Sequence, residues 1–378
     1  MELTERNNCE ITGSSDLEPL CEFPSFPVFM GCVDQSESLD LKEDMTWLIC
    51  KSSGVIQLKN ILPLSILYPE AHGAGAIGVL WQRHHMEFAK FVNQASPSKV
   101  FEIGGASGIL AKEYSQFDEI SWTILEPNPQ PIDGCKASFI KGFFDESFNF
   151  SDEIDTVVHS HVFEHIYHPD KFMKHLSLFM KQGSKLLFSL PNLEMMLKNN
   201  YTNCLNFEHT LFLSEPYIDF LLAKHGFRLI KKDNFMNDHS IFYYAVRDVD
   251  IKPIALMTGL YEKNKKLFED YVNYHKELIE SINIKIKSTS SSIYLFGAHI
   301  FSQYLIQMGL DTRNIISILD NDPNKQEKRL YGTSLKVMSP KILKEIENPI
   351  VILKAGFYNE EIKKDILENI NSETSFFE

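Results

Sequence analysis

Two histidine-rich segments hold the residues whose types and spacing best suit chemistry. The stretch "HSHVFEHIYH" contains His159, His161, His165 and His168, and the later tripeptide "FEH" ends in Glu208 and His209. Imidazole changes its charge near neutral pH, so such clusters suit general acid–base catalysis. His161 and His165 are four residues apart and would share one face of a helix. Imidazole and carboxylate also bind divalent metals, but no spacing here is diagnostic of one; we predict proton transfer and no metal site, with a divalent ion as the alternative.

A glycine-rich stretch, "VFEIGGASGILAKEY", predicts a loop between a strand and a helix. Small residues let the backbone approach a ligand, and the following helix offers unpaired N–H groups. Glu126 ends the next strand-like run about twenty residues later, where a carboxylate can accept hydrogen bonds from a ribose diol. Glu102 precedes the loop and favours a ligand that carries positive charge. A tight packing turn with no ligand is the alternative interpretation.

These motifs resemble those of the class I S-adenosylmethionine-dependent methyltransferases. The resemblance implies that the loop lies against the methionine and ribose portions of the cofactor and that Glu126 holds the ribose hydroxyls. "FIKGFFDE" falls where the adenine pocket is completed, and "IDTVVHSHVFEHI" resembles the motif after the fourth strand. The cofactor-binding residues that follow from the resemblance are Glu102, Gly104, Gly105, Ala106, Ser107, Gly108, Glu126, Phe144 and His159.

The elements that must position these residues form an alternating pattern of strands and helices. This pattern predicts an α/β fold with a parallel sheet, closed at one edge by a pair of consecutive strands. A long amphipathic stretch without Gly or Pro after Gly259 predicts a helix that links this core to a second α/β unit. We therefore expect an irregular N-terminal domain over 1–75, a methyltransferase core over 76–255, a linking helix over 256–286 and an α/β domain over 287–378.

The whole chain is similar to the three-domain C-methyltransferases of deoxysugar nucleotides, which carry an N-terminal zinc site. Here each Cys-x-x-Cys pair keeps only its first cysteine, Cys9 and Cys50, so we expect the outline of a zinc ribbon without its metal. The resemblance assigns Tyr68, His72 and Asn206 to the substrate, and Gly297 to a C-terminal domain that supports the nucleotide-sugar. A folded accessory or dimerisation domain is the alternative for that last part.

The type of methyl transfer depends on one substitution. The C-methylating members have a tyrosine two residues before the Glu–His pair, where this chain has Asn206, and an amide cannot act as an acid or base. We therefore expect transfer to a hydroxyl of a nucleotide-linked hexose or heptose for surface polysaccharide synthesis. The catalytic candidates are His165, His161, Glu208 and His209, with Asp238–His239 as a further pair. C-methylation of a keto sugar, or binding without turnover, are the alternatives.

Composition limits the other possibilities. The 378-residue chain has a formal net charge of −14, which disfavours a nucleic-acid surface rich in Lys and Arg. No uninterrupted apolar run is long enough for a membrane span, and the start of the sequence lacks the layout of a signal peptide. We expect a cytoplasmic protein with reduced cysteines that binds no membrane and could form a homodimer. A nucleotide-sugar dehydrogenase is disfavoured because the loop at Gly297 has one glycine where a dinucleotide site needs three.

Overall fold

The N-terminal part is a small β-structure. The computed structural model describes residues 3–67 and 78–378. The elements before residue 68 are β1 (Thr4–Glu5), β2 (Leu17–Pro27), β3 (Cys32–Val33), β4 (Lys42–Cys50), β5 (Ile56–Leu58), β6 (Asn60–Ile61), α1 (Leu64–Leu67) and a 3₁₀ turn over Glu37–Leu39. Strands β2, β4 and β5 form an antiparallel sheet, and β1 pairs with β6. Trp47 and Met45 of β4 are fully buried and anchor this sheet to the rest of the protein.

The central sheet has seven strands. They are β7 (Lys99–Ile103), β8 (Ser121–Glu126), β9 (Ser138–Lys141), β10 (Thr156–Ser160), β11 (Lys185–Pro191), β12 (Phe227–Phe235) and β13 (Ser240–Arg247). Their order is β12-β13-β11-β10-β7-β8-β9, and within it only β13 runs antiparallel to its neighbours. The expected strand pair at the edge, β12 and β13, is confirmed, and so is the α/β fold of the class I methyltransferase type.

Helices cover both faces of this sheet. They are α2 (Val79–Asn93), α3 (Ile109–Tyr114), α4 (Pro169–Phe179) and α6 (Glu215–Lys224), with a 3₁₀ turn over Phe163–His165, whereas α5 (Leu193–Lys198) packs into the core of the N-terminal sheet. Successive residues of a strand point to opposite faces, so Val100 packs with α2 and α3 while Phe101 packs with α4 and α6. Because both faces are covered, the inner strands are nearly continuous apolar runs, and this made them recognisable in the sequence.

A long helix connects this core to the C-terminal domain. The helix α7 (Leu260–Ser288) confirms the helix expected over 256–286 and begins four residues later at Leu260, directly after Gly259, whose φ is +76°. Its buried residues recur at helical spacing. Those near its start pack into one hydrophobic core and those near its end pack into another. Phe268 and Val272 pack with Trp47 of the N-terminal sheet, whereas Ile282 and Ile286 pack under the C-terminal sheet.

The C-terminal domain is a second, smaller parallel sheet. Its elements are β14 (Ile293–Phe296), α8 (Ile300–Gln307), β15 (Ile315–Leu319), β16 (Arg329–Leu330), β17 (Val337–Met338), β18 (Ile350–Leu353), α9 (Asn359–Asp365) and β19 (Ser375–Phe377), with short 3₁₀ turns over Pro340–Glu345 and Gly356–Tyr358 and a π turn over Ile366–Ile370. The strand order is β17-β15-β14-β18-β19, all parallel, and β16 pairs with β3 of the N-terminal part. Each of the three expected domains thus contains a sheet of its own, while the four ranges themselves stay predictions.

Two tight turns, which we call the N-terminal knuckle, begin at Cys9 and Cys50, where the sequence predicts a zinc ribbon without its metal. The N–H of Gly13 donates to the carbonyl of Cys9, and the N–H of Gly54 donates to the carbonyl of Cys50. Sγ of Cys9 lies 3.4 Å from Oγ of Ser53, the hydroxyl that stands where a second thiol is expected. Among the described residues all six cysteines are free thiols. No helix in the described ranges is long and apolar enough to cross a membrane.

Candidate active site

The loop after β7 is shaped by glycines that have no room for a side chain. Gly104 has φ of +71° and Gly108 has φ of +80°, conformations that glycine adopts without strain. A Cβ at Gly105 would lie 2.7 Å from Cγ2 of Ile124 and 2.8 Å from Cδ of Glu102, although its φ is not in the left-handed region. The bare backbone therefore forms a cradle at the carboxyl edge of the sheet, where ligands bind in open α/β sheets.

Glu126 closes this cradle from the neighbouring strand. Its Oε2 accepts a hydrogen bond from the N–H of Ala106 at 2.9 Å, and its Oε1 accepts one from the N–H of Asn128 at 3.0 Å. Each oxygen of a carboxylate has a second acceptor site, so both remain able to accept from the hydroxyls of a ribose diol. The bare loop and the fixed acid fit the ribose and methionine portions of S-adenosylmethionine.

Glu102 is held beneath the loop. It is buried, and its Oε2 accepts a hydrogen bond from Nε1 of Trp122 at 2.7 Å. Burial raises the pKa of Glu102 to about 7, helped by the charge of Glu126 and opposed by the Trp122 hydrogen bond. Glu102 therefore supports the loop from below and favours a cationic ligand above it.

The other two residues expected near the cofactor lie in different surroundings. Phe144 is half-buried among Phe101, Phe172 and His175. The structure places His159 in the core, stacked on Phe188 with ring centres 4.9 Å apart. Burial lowers the pKa of His159 to about 3, so this ring is neutral. Ser107 is half-buried on the loop, next to the exposed Ala106.

His161 is the centre of a hydrogen-bonded chain at the end of β10. Its Nδ1 lies 3.1 Å from Oε1 of Glu164, and its Nε2 lies 2.9 Å from Oγ of Ser240. Nδ1 of His239 lies 2.6 Å from the same Ser240 hydroxyl. Since an ionised carboxylate only accepts, Nδ1 of His161 carries the hydrogen and Nε2 is left as the acceptor that faces Ser240.

Glu164 is a buried carboxylate surrounded by histidines. Burial alone would raise its pKa, but the hydrogen bond from His161 and the proximity of His161, His165 and His209 outweigh it and lower the pKa to about 2. Nε2 of His165 lies 4.0 Å from Oε1 of Glu164. His161 and His165 thus meet through Glu164 rather than along a helix face, because only Phe163–His165 is helical and His161 has φ of +53°.

The second "FEH" segment packs against the first. The rings of His165 and His209 have centres 4.8 Å apart, and Nδ1 of His165 lies 3.8 Å from Oε2 of Glu208. Oδ1 of Asn206 accepts hydrogen bonds from the N–H groups of Glu208 and His209, both at 2.8 Å. Asn206 therefore fixes this turn instead of presenting its amide to a ligand. Burial and the neighbouring His165 lower the pKa of His209 to about 4.

The C-terminal domain reaches this histidine cluster. Tyr358 lies just past the carboxyl end of β18, and its hydroxyl accepts a hydrogen bond from Nε1 of Trp81 at 3.0 Å. The neighbouring Phe357 packs on His239 and on Tyr201, with ring centres 4.9 Å and 4.5 Å apart. The carboxyl edges of the two parallel sheets therefore meet around the histidines.

Gly297 lies at a second loop beside a second acid. Gly297 follows β14 with φ of +99°. The N–H of the next residue, Ala298, donates to Oδ2 of Asp320 at 2.9 Å, and the N–H of Asp322 donates to Oδ1 at 2.9 Å. This repeats the arrangement of Ala106 and Asn128 around Glu126. The acid at the end of the second strand again closes the loop after the first.

Several residues of the site were not singled out from the sequence. Tyr68 and His72 were predicted from the sequence to bind the substrate, but they lie outside the described residues. Glu164 was missed although "FEH" occurs twice in the chain, and that repeat was the available signal. Ser240, Trp81 and Asp320 were also missed. Ser240 is 79 positions from His161, and no local pattern indicates such a contact.

Comparisons with known proteins agree with the fold. Residues 79–232 match the family model described as a methyltransferase domain, and residues 259–377 match the model of the C-methyltransferase C-terminal domain. No curated protein matches the chain.

Similar solved structures cover less than half of this chain. Magnesium protoporphyrin IX methyltransferase from Synechocystis PCC 6803 is 14% identical, with 48% of this chain and 93% of that chain covered and a TM-score of 0.37. The N-methyltransferase NodS from Bradyrhizobium japonicum WM9 is 13% identical, with 45% and 97% covered and a TM-score of 0.35. An O-methyltransferase family protein from Burkholderia thailandensis is 12% identical, with 45% and 57% covered and a TM-score of 0.35.

The two family models coincide with the two parallel sheets. The first spans the cradle of Gly104 to Gly108 together with Glu126, and the second spans the loop of Gly297 together with Asp320. The chain therefore has a class I methyltransferase fold, in which residues 79–232 match a methyltransferase domain and residues 259–377 match a C-methyltransferase C-terminal domain.

Proposed function

We propose that the protein transfers a methyl group from S-adenosylmethionine to a hydroxyl of a nucleotide-linked hexose or heptose. The observation that carries the proposal is the meeting of two carboxyl edges, each with a loop and a fixed acid, around one histidine cluster. Parallel α/β sheets bind ligands at these edges. A nucleotide held by the C-terminal sheet would direct its sugar toward the cofactor held by the central sheet.

The C-terminal loop suits the nucleotide end of the substrate. Asp320 is fixed by the N–H groups of Ala298 and Asp322, and its Oδ1 keeps a second acceptor site for a ribose hydroxyl. Nζ of Lys325 lies 3.2 Å from Oδ2 of Asp320 and supplies a positive charge near the phosphates. Phe301 lies beside Gly297 and has its ring centre 6.4 Å from that of Tyr358, whose hydroxyl contacts Trp81 next to the histidines.

His161 is the residue that we assign as proton acceptor. Bound S-adenosylmethionine supplies an electrophilic methyl group on a sulfonium. Held by the cradle of Gly104 to Gly108 and by Glu126, it would deliver this methyl group to the sugar oxygen, and His161, whose Nε2 is an acceptor, would take up the hydroxyl proton. Glu164 on Nδ1 stabilises the imidazolium that results. Such a base contributes about 100-fold or more to the rate.

The choice of oxygen over carbon rests on Asn206. Transfer to carbon beside a ketone needs groups that stabilise an enolate, and Asn206 is buried with its amide oxygen committed to the backbone. C-methylation is the second candidate because residues 259–377 match a C-methyltransferase C-terminal domain. A role in surface polysaccharide synthesis would follow from the hydroxyl of a nucleotide-linked hexose or heptose as substrate.

Product analysis tests this proposal. The full chain is incubated with methyl-deuterated S-adenosylmethionine and a panel of nucleotide-linked hexoses, heptoses and 4-keto sugars. Mass spectrometry detects transfer and NMR locates the label. We expect a methoxy signal on a hydroxylated sugar, and loss of transfer in Asp320→Asn with unchanged affinity for S-adenosylhomocysteine.

Three other results would contradict it in different ways. A carbon-bound methyl beside a ketone would assign the reaction to the second candidate. Transfer to sugars that lack a nucleotide, unaffected by Asp320→Asn, would remove the C-terminal domain from substrate binding. Cofactor binding without transfer to any sugar would favour a binding protein over an enzyme.

A further inference from the structure

Three side chains from the two "FEH" segments bring potential metal-ligand atoms close together. Glu164, His165 and His209 each offer one ligand atom, and these atoms lie within 4.8 Å of one another. Glu164 and His165 come from the turn after β10, whereas His209 comes from the segment before α6. Donor atoms this close can reach a common ion at about 2.0 to 2.2 Å each after small side-chain rotations.

Two of these residues have polar atoms that are buried without a partner in the described part of the chain. Oε2 of Glu164 and Nδ1 of His209 are both inaccessible to solvent and make no hydrogen bond there. Glu164 is 1% exposed, so water does not satisfy its second oxygen. A buried polar atom without a partner costs free energy, more so when it belongs to a charged group. An ion bound between them would satisfy the carboxylate oxygen directly.

The surroundings hold these side chains in the way that metal sites hold their ligands. The first oxygen of Glu164 is fixed by Nδ1 of His161 at 3.1 Å. Nδ1 of His165 faces Oε2 of Glu208 at 3.8 Å, which leaves its Nε2 directed toward Glu164. Asn206 fixes the backbone of His209. Outer carboxylates and hydrogen bonds of this kind orient imidazole and carboxylate ligands in known metal sites.

We propose that Glu164, His165 and His209 bind one divalent transition-metal ion, with Zn²⁺ the best match. Two imidazoles and one carboxylate form a set that suits Zn²⁺ and Fe²⁺ better than Mg²⁺, which prefers oxygen ligands. Three protein ligands leave a coordination position open. Its occupant is a hydroxyl oxygen of the acceptor sugar, a role that rests on the proposed function.

Metal titration without substrate tests the site by itself. The full chain is dialysed against a chelator and then titrated with Zn²⁺, Co²⁺ and Mg²⁺ by calorimetry, with the Co²⁺ absorption spectrum as a second readout. We expect one Zn²⁺ or Co²⁺ per chain and much weaker Mg²⁺ binding. His209→Gln and His165→Asn should each weaken Zn²⁺ binding by roughly 100-fold or more.

Two controls separate this site from other donors. His168→Gln removes a histidine of the same segment that contacts Glu10 instead, and it should leave Zn²⁺ binding unchanged. The double variant Cys9→Ala/Cys50→Ala removes the thiols of the N-terminal knuckle and should do the same. Because a buried substitution could unfold the chain, binding of S-adenosylhomocysteine confirms that each variant is folded, and the half-buried His165 gives the safer variant.

The outcomes distinguish this inference from the proposed function. Absence of Zn²⁺ and Co²⁺ binding, or binding that survives in folded His165→Asn and His209→Gln variants, would overturn the metal site. Binding that is lost only in the cysteine variant would assign the ion to the knuckle and also overturn it. Methyl transfer that continues at full rate in the chelated protein would overturn the catalytic role while leaving the methyltransferase assignment intact.

Discussion

Two buried carboxylates near the site have pKa values shifted in opposite directions. Burial raises the pKa of Glu102 to about 7, helped by the negative charge of Glu126 and opposed by the hydrogen bond from Trp122. Glu164 is equally buried, but three histidines outweigh burial and lower its pKa to about 2. At neutral pH Glu164 is therefore an anion that orients His161, while Glu102 is close to half-protonated.

Replacing Glu102 by Gln should stabilise the protein at alkaline pH. The folded pKa of about 7 exceeds the ordinary value of 4.5, so the folded state binds more protons between these values and the free energy of unfolding falls as pH rises through this range. The full loss is about 3 kcal/mol. Glu102→Gln removes it, so thermal unfolding should show similar stability at pH 4 and a more stable variant at pH 8. A variant that is less stable at pH 8 would contradict the raised pKa.

Replacing His161 by Gln should slow methyl transfer without weakening cofactor binding. Loss of the proton acceptor is expected to lower kcat by about 100-fold, whereas the cradle at Gly104 to Gly108 is untouched. His168→Gln is the matched control, because His168 lies in the same segment and contacts Glu10. Steady-state kinetics and titration with S-adenosylhomocysteine measure the two effects. Equal activity in the two variants would remove His161 from proton transfer.

Local sequence predicted some of these residues and not others. The cradle and Glu126 were predictable because glycines and a terminal acid stand at a fixed spacing along neighbouring strands. Ser240 and Trp81 were not, since their contacts with His161 and Tyr358 depend on how distant segments pack. Asn206 was correctly singled out, but its hydrogen bonds to the backbone could not be read from its type.

At the scale of elements, the loop between β7 and α3 needs glycine for reasons of space. A methyl group at Gly105 would lie 2.7 Å from Ile124 and 2.8 Å from Glu102, so Gly105→Ala should displace the loop and cost about 1–3 kcal/mol of stability. We also expect it to abolish measurable binding of S-adenosylhomocysteine. Gly183→Ala, at a turn away from the loop where a Cβ would meet nothing within 4 Å, is the control for cofactor affinity. Normal cofactor affinity in Gly105→Ala would contradict the close approach of this loop.

Arg6 connects the N-terminal strands to both "FEH" segments. Its guanidinium donates to the carbonyls of Tyr167 at 2.6 Å and Thr210 at 2.9 Å, each just beyond one of the tripeptides. Arg6→Lys keeps a positive charge but loses the fork, and should cost about 2 kcal/mol of stability in chemical unfolding. Arg313→Lys, at an exposed ion pair with Asp311, should cost almost nothing. Equal losses of stability in the two variants would contradict a stabilising role for the Arg6 hydrogen bonds.

The elements themselves were largely predictable. The inner strands are continuous apolar runs because helices cover both faces, and α7 has a buried stripe at helical spacing. The backbone conformation of "HSHVFEHIYH" was not predictable. A left-handed backbone at His161 and a short 3₁₀ turn replace the expected helix face. Such a path depends on the partners that Glu164 and Ser240 supply.

At the scale of the whole molecule, two domains repeat one arrangement. Glu126 and Asp320 each end a second strand, and each accepts from the N–H of the loop before it and from the N–H two residues after itself. The contact of Tyr358 with Trp81 connects the two edges, and the pairing of β3 with β16 joins the C-terminal domain to the N-terminal part. The sequence predicted both domains, but their apposition depends on contacts between residues far apart in the chain.

The most direct test is calorimetric titration of S-adenosylhomocysteine and of a panel of nucleoside diphosphates into three proteins: the native chain, Glu126→Gln and Asp320→Asn. Losing the charge that accepts from a ribose diol should cost about 1.5–3 kcal/mol, or roughly 10- to 100-fold in affinity. We predict that Glu126→Gln weakens only S-adenosylhomocysteine and that Asp320→Asn weakens only the nucleoside diphosphate. If no nucleoside diphosphate binds the native chain, or if Asp320→Asn leaves its affinity unchanged, the two-site account is contradicted.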